Sequence, residues 1–145
     1  MNVMVCIDDQ NGMQFGRRRQ SRDRKVTEDM IKTAEKTGTH LWISPFSEKM
    51  FQEAASQGLI SETLGSLQVD TAFLEKAAEQ DYCFVENAPL QPLAGRISSV
   101  TVYRWNRKYP ADAWLDIDLT EWTKVSTEDF AGYSHEKITK EVYRK

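Results

Sequence analysis

Three short runs in this chain, Val3-Met4-Val5-Cys6-Ile7, Leu41-Trp42-Ile43 and Tyr82-Cys83-Phe84-Val85, lack any regular polar alternation. A strand of that kind has no face to offer water, so it belongs inside a sheet that is covered on both sides. Helix signals stand between the runs. Thr27 is placed to cap a helix with Glu28 and Asp29 in its first turn, Val26 and Ile31 as a hydrophobic staple, and Gly38 at its end. Ser44 before Pro45 opens a second helix that stops at Gly58. Asp70 caps a third, Thr71 to Gln80, while Leu59 to Val69 is undecided, with room for short strands from Ile60 to Leu67. Strands joined through helices by right-handed crossovers give a mostly parallel sheet.

The pattern changes after the proline-spaced connection Glu86 to Gly95. Ser98 to Trp105, Trp122 to Ser126 and Lys137 to Tyr143 read as strands, and the last two are joined through Gly132. In the last, Ile138, Lys140 and Val142 alternate with Thr139, Glu141 and Tyr143, which suits an edge or half-exposed antiparallel pair. The expectation is one three-layer α/β domain over residues 1–145, with a mixed, mostly parallel central sheet and a C-terminal antiparallel hairpin.

A chain of 145 residues buries a core without staples. No apolar run reaches the length of a membrane span and the N-terminus is not a signal peptide, so a cytoplasmic protein without membrane partners is expected. Cys6 and Cys83 then read as reduced core thiols. A net charge of −3 argues against bulk coating of nucleic acid.

Against that balance, the segment from Arg17 to Lys25 holds six basic side chains and one acid, Asp23. Guanidinium forks match phosphate and carboxylate bidentately. Arg17, Arg18, Arg19, Arg22 and Arg24, with Asp23 among them, are therefore candidate ligand-binding residues for a small phosphate-bearing anion or, less favoured, a nucleic-acid backbone. The plainer reading is a solvated loop paired with Asp8, Asp9 and Asp23. Asp8 and Asp9 have no metal-ligand spacing and suit turn capping, and no metal is expected. His40 and His135 lack ligand partners at zinc spacing. Ser44 and Ser47, at a helix start, are placed either to cap or to donate to a cofactor anion. Tyr103, Trp105, Tyr109 and Trp114, interleaved with Arg104, Arg107 and Lys108, are placed either to stack on a ring or to fill the core.

The order of elements resembles the dihydrofolate reductase family over nearly the whole chain. Val5-Cys6-Ile7-Asp8-Asp9-Gln10-Asn11-Gly12-Met13 is similar to the family's first strand and the start of its substrate loop. His40-Leu41-Trp42-Ile43-Ser44-Pro45-Phe46-Ser47 is similar to its second strand and phosphate-binding helix start. The tail, from Val100-Thr101-Val102-Tyr103-Arg104-Trp105 through Tyr109-Pro110-Ala111-Asp112 to Ile117-Asp118-Leu119 and Trp122, is similar in spacing to its C-terminal third. The resemblance implies a ligand cleft beneath the arginine-rich loop, NADPH as cofactor, a catalytic acid near Asp23, Glu28 or Asp29, with Glu28 or Asp29 taken as proton donor, and Tyr103 on the cleft wall in place of the family's threonine. The family's Gly-Gly pair, where the cofactor diphosphate approaches the backbone, falls at Glu86-Asn87-Ala88-Pro89, and a carboxylate there opposes a diphosphate. The expected function is thus a diverged protein of this fold that binds an anionic small ligand through its arginine-rich loop and does not reduce dihydrofolate. The alternatives are a working NADPH-dependent reductase of dihydrofolate or a related pterin, and a nucleic-acid-contacting accessory protein.

Overall fold

The computed structural model describes residues 1–56 and 67–145. Strands β1 (Asn2–Ile7), β2 (Gly12–Phe15) and β3 (Arg18–Arg19) precede helix α1 (Arg24–Thr37). Next come β4 (Leu41–Ile43), helix α2 (Pro45–Ser56), β5 (Leu67–Val69), a single helical turn α3 (Phe73–Lys76) and β6 (Tyr82–Phe84). A 3-10 stretch at Gln91–Arg96 leads to β7 (Ser99–Arg104), β8 (Ala113–Trp114), β9 (Thr123–Phe130) and β10 (Ile138–Arg144).

The main sheet runs β5-β4-β6-β1-β7-β10-β9. Its first five strands are parallel, and β10 and β9 close it as an antiparallel hairpin. The apolar runs sit where their composition sends them, with β1 at the centre between β6 and β7. One face, carrying Met4, Ile43, Phe84 and Tyr103, packs under Met30 and Ile31 of α1 and Phe51 of α2. The Phe51 and Phe84 rings meet edge to face at 5.9 Å. The other face, carrying Val3, Val5, Cys83 and Val100, is covered by Phe73, Leu90, Ile97, Leu115 and Ile117. Each of these large side chains contributes about 1.5–3 kcal/mol by leaving water. Among the described residues no helix is long and apolar enough to cross a membrane.

Both cysteines are free. β1 and β6 are neighbours, and Val3 pairs with Cys83. Cys6, an odd number of residues further along β1, therefore points to the opposite face, and no bridge can form.

Three expectations are corrected. Helix α1 starts earlier, with Asp23 rather than Thr27 as its cap: the Asp23 carboxylate accepts from Lys25 N–H at 2.9 Å. Thr27 lies within the first turn and donates to the Asp23 carbonyl at 3.3 Å. Glu28 and Asp29 thus fall beyond the first turn, which holds no acid. The third helix shrinks to one turn, because Asp81 draws the Ala78 N–H at 2.9 Å and Ala77 is extended. The last strand is internal, between β7 and β9, and β9 is the edge. Gly38 ends α1 in the left-handed region at φ 70°, and Pro45 opens α2 as expected. The expected stop at Gly58 and most of the undecided segment, 59–66, lie outside the described residues.

Candidate functional site

The arginine-rich stretch is not an open loop. β2 and β3 form a hairpin in which Phe15 pairs with Arg18 around a two-residue turn, Gly16-Arg17. Both turn residues have positive φ, 59° and 64°. This is the type I′ geometry that matches strand twist. β8 pairs with the other side of β2 and completes a small second sheet. The turn that launches the hairpin is held by the buried Asp8 carboxylate. It accepts from Gln10 N–H at 2.8 Å, Gly12 N–H at 2.7 Å, Gln20 Nε2 at 3.1 Å and Tyr109 N–H at 3.2 Å. Burial alone would raise its pKa, but these donors hold it below the ordinary carboxylate range.

The hairpin overhangs a cleft at the carboxyl ends of β1 and β6, between α1 and α2. Met13, Val26, Met30, Met50, Phe84 and Trp105 make its interior apolar. Arg19, Gln20, Ser21, Arg22, Asp23 and Glu86 supply its polar wall. Open α/β sheets bind ligands at this end of their strands. Above the cleft, Arg18, Arg19, Ser21, Arg22 and Phe46 line a shallow mouth. Cys6 also lines the cleft, but burial and then the Glu86 charge push its thiol pKa well up, so it is no thiolate nucleophile.

The cations fall into two groups. Arg19 is committed: its Nε donates to Glu86 Oε1 at 2.7 Å and its second nitrogen to Oε2 at 2.9 Å. The Glu86 hydrogen bond pushes the Arg19 pKa further up. Ser47 adds a 2.6 Å hydrogen bond to the same carboxylate. The anion at the start of α2 is therefore the chain's own Glu86, and Ser47 is already in use; Ser44 Oγ lies 3.5 Å from Ser47 Oγ. Arg24 stacks over Tyr133 at 4.2 Å. Arg22 pairs with Glu53 in the open, with 59% of its side chain exposed, a contact worth little in water. Arg17 and Arg18 are exposed and have no ion pair among the described residues.

Glu28 and Asp29 do not line this cleft. Glu28 pairs with Lys32, and Asp29 accepts from Tyr103 Oη at 2.6 Å and Lys140 Nζ at 2.7 Å. Tyr103 does support an acid, but as a fully buried core residue under α1; burial and then the Asp29 charge push its pKa well up. Trp105 forms the cleft wall instead. Alternation placed Tyr103 and Trp105 on one side of β7, and both pack in the core beneath α1.

Asp23 turns out to be the acid of the cleft. It is 3% exposed and accepts from Tyr133 N–H at 2.9 Å, Ser134 N–H at 2.9 Å and His135 Nδ1 at 2.9 Å. Its burial would raise the pKa, and these donors, with Lys25 N–H, reverse the shift and hold it low. Asp23 therefore anchors the loop between β9 and β10 to the start of α1. His135, 6% exposed, stacks on Trp105 at 4.7 Å, and its Nε2 meets Ser21 Oγ at 3.0 Å and Tyr109 Oη at 3.3 Å. Ser21 and His135 escape a reading by spacing because 114 positions separate them.

No family model matches this chain, and no curated protein matches it. A solved structure does: dihydrofolate reductase from Enterococcus faecalis in complex with NADP(H) and RAB-propyl. It superposes with a TM-score of 0.58 at 10% identity, covering 99% of this chain and 94% of that one. The chain has a dihydrofolate reductase-like fold. At this identity the likeness carries the fold alone, and the chemistry rests on the side chains of the cleft.

Proposed function

We propose that this dihydrofolate reductase-like chain binds a small ligand with an apolar or ring-shaped body and a phosphate-bearing end, and does not reduce dihydrofolate. The observation that carries this reading is the division of the cleft. Its interior is lined by Met13, Met50, Phe84 and Trp105, and its mouth by Arg18, Arg19 and Arg22 around Phe46. The interior has room for about one water, so the body rests against the exposed Phe46 at the mouth, where guanidinium groups supply forked donors for the anion. Glu86 argues against a diphosphate deeper in, because its buried carboxylate already takes Arg19 and Ser47. The reductase alternative is favoured by the fold likeness. Against it, Glu28 and Asp29 lie off the cleft, and the acid at the start of α1 that does line it, Asp23, already takes Tyr133 N–H, Ser134 N–H and His135 Nδ1.

Thermal-shift titration at low salt separates the readings. Tripolyphosphate is expected to raise the unfolding temperature, by the equivalent of about 2.7 kcal/mol at a hundredfold excess over its Kd. Arg18→Glu with Arg22→Glu is expected to abolish the shift, and Glu86→Gln, which frees Arg19, to strengthen it. NADPH consumption with dihydrofolate, read at its absorbance band, is expected to be absent. A tripolyphosphate shift unchanged by the double reversal would overturn the anion-clamp reading, and turnover of NADPH would establish the reductase.

A further inference from the structure

Asp23, His135 and Ser21 stand in a line. A carboxylate can only accept, so the 2.9 Å contact from Asp23 Oδ2 fixes the hydrogen of a neutral His135 ring on Nδ1. Nε2 then holds a lone pair, and Ser21 Oγ at 3.0 Å is nearer to it than Tyr109 Oη at 3.3 Å. Stacking on Trp105 and near-complete burial hold the ring in this orientation. Ser21 is half-buried and lines both the cleft and its mouth. The tie between the C-terminal loop and α1 needs only Asp23, whose oxygens take Tyr133 N–H, Ser134 N–H and His135 Nδ1. Ser21 joins the same two segments through Nε2, and its hydroxyl is the one at Nε2 that reaches the cleft.

We propose that Ser21, His135 and Asp23 form a nucleophilic relay, with Ser21 Oγ attacking carboxylic esters that dock at the open mouth beside Phe46. Nucleophile, base and orienting acid are each within hydrogen-bond reach of the next, the arrangement that activates a serine on unrelated folds. In the first step the Ser21 Oγ–carbon bond forms and the Ser21 proton passes to His135 Nε2. The carbon–oxygen bond to the leaving alcohol then breaks, and the alcohol oxygen keeps the electron pair and takes the proton from Nε2. Water repeats the sequence on the acyl-serine, releasing the acid and restoring Ser21. Asp23 is a positioning residue that holds the tautomer.

The test uses an uncharged alkyl fluorophosphonate on the full chain, so its outcome is independent of phosphate binding at Arg18. Attack forms the Ser21 Oγ–phosphorus bond, fluoride leaves, and the Ser21 proton passes to His135. Peptide mass spectrometry is expected to find the adduct on Ser21 in the native protein and none in Ser21→Ala. Labelling of His135→Ala is expected to slow by at least about a hundredfold, the low end of general-base effects, and to recover with free imidazole. A circular dichroism spectrum matching the native protein checks that each variant is folded. Slow hydrolysis of 4-nitrophenyl butyrate, lost in Ser21→Ala, is expected alongside. A folded native protein that takes no label at Ser21, or labels equally fast without His135, overturns the proposal.

Discussion

Asp23 does three jobs with one carboxylate: it caps α1, holds the loop at Tyr133 and Ser134, and orients His135. The close approach this requires leaves room for only a hydrogen at position 132. A Cβ built on Gly132 would lie 2.6 Å from Asp23 Oδ2, 2.9 Å from the His135 carbonyl and 3.0 Å from Ile138 Cδ1. Gly132→Ala must therefore shift the carboxylate or the backbone, and overpacking of this kind costs about 1–3 kcal/mol. The entropy gained by removing a glycine from the unfolded chain, about 0.4–1 kcal/mol, does not offset it. Urea unfolding of Gly132→Ala is expected to show a lower midpoint with an unchanged slope. Gly95→Ala is the control. It meets nothing within 4 Å and is not in the left-handed region, so it is expected to be neutral or slightly stabilising.

At the scale of the element, the β2–β3 hairpin carries its own evidence of purpose. Among the described residues, three non-glycine residues have positive φ: Asn11, Arg17 and Asn106. Asparagine tolerates that region, whereas arginine at the second position of a type I′ turn is strained by roughly 1–2 kcal/mol. Glycine is the residue this turn favours there. Arg17→Gly is thus expected to stabilise the protein by up to about 1 kcal/mol, after the entropy of a new glycine is subtracted. In a tripolyphosphate titration the same variant is expected to bind more weakly. A gain in melting temperature with a loss of affinity would mark a turn held in strain for its side chain; a loss of both would show that Arg17 serves the hairpin itself. The hairpin also shows where sequence reading stops. Arg18-Arg19 has no apolar alternation, so β3 was hidden until it paired with Gln14 and Phe15. The central strands were legible because unbroken apolar runs have one place to go. Glu86 and Arg19, 67 positions apart, and Ser21 and His135, 114 apart, meet only through the crossovers, and no local pattern announces them. Glu28 and Asp29 looked acidic in the right neighbourhood. Starting α1 at Arg24 instead of after Thr27 rotated them off the cleft and put Asp23 at its edge.

Across the molecule, four buried carboxylates besides Glu86 stand where segments far apart in sequence are tied together. Asp8 holds the turn after β1 to Tyr109, and Asp23 holds α1 to the loop before β10. Asp81 accepts from Trp42 Nε1 at 2.9 Å and His40 N–H at 3.2 Å, fastening β4 beside β6. Glu141 takes Arg104, Lys124 and Tyr143 Oη on β10. Burial pushes each pKa up, but the donors win in all four, so each lies below its ordinary range. A carboxylate depressed in the folded state contributes stability above its unfolded pKa. That contribution is lost as pH falls through the lower, folded value. The unfolded chain begins to take up protons near pH 4, before the folded one does, and each such proton tilts the balance by about 1.36 kcal/mol per pH unit. The four contributions share one sign, so the decline is steeper than a single proton would give. The melting temperature is therefore expected to be nearly flat above about pH 5 and to fall steeply below about pH 4. Loss of the tryptophan and far-ultraviolet signals at one common pH is expected, because the ties join the two ends of the chain to its middle. A shallow decline fitted by a single proton, or separate transitions for the two signals, would show that these carboxylates do not act together.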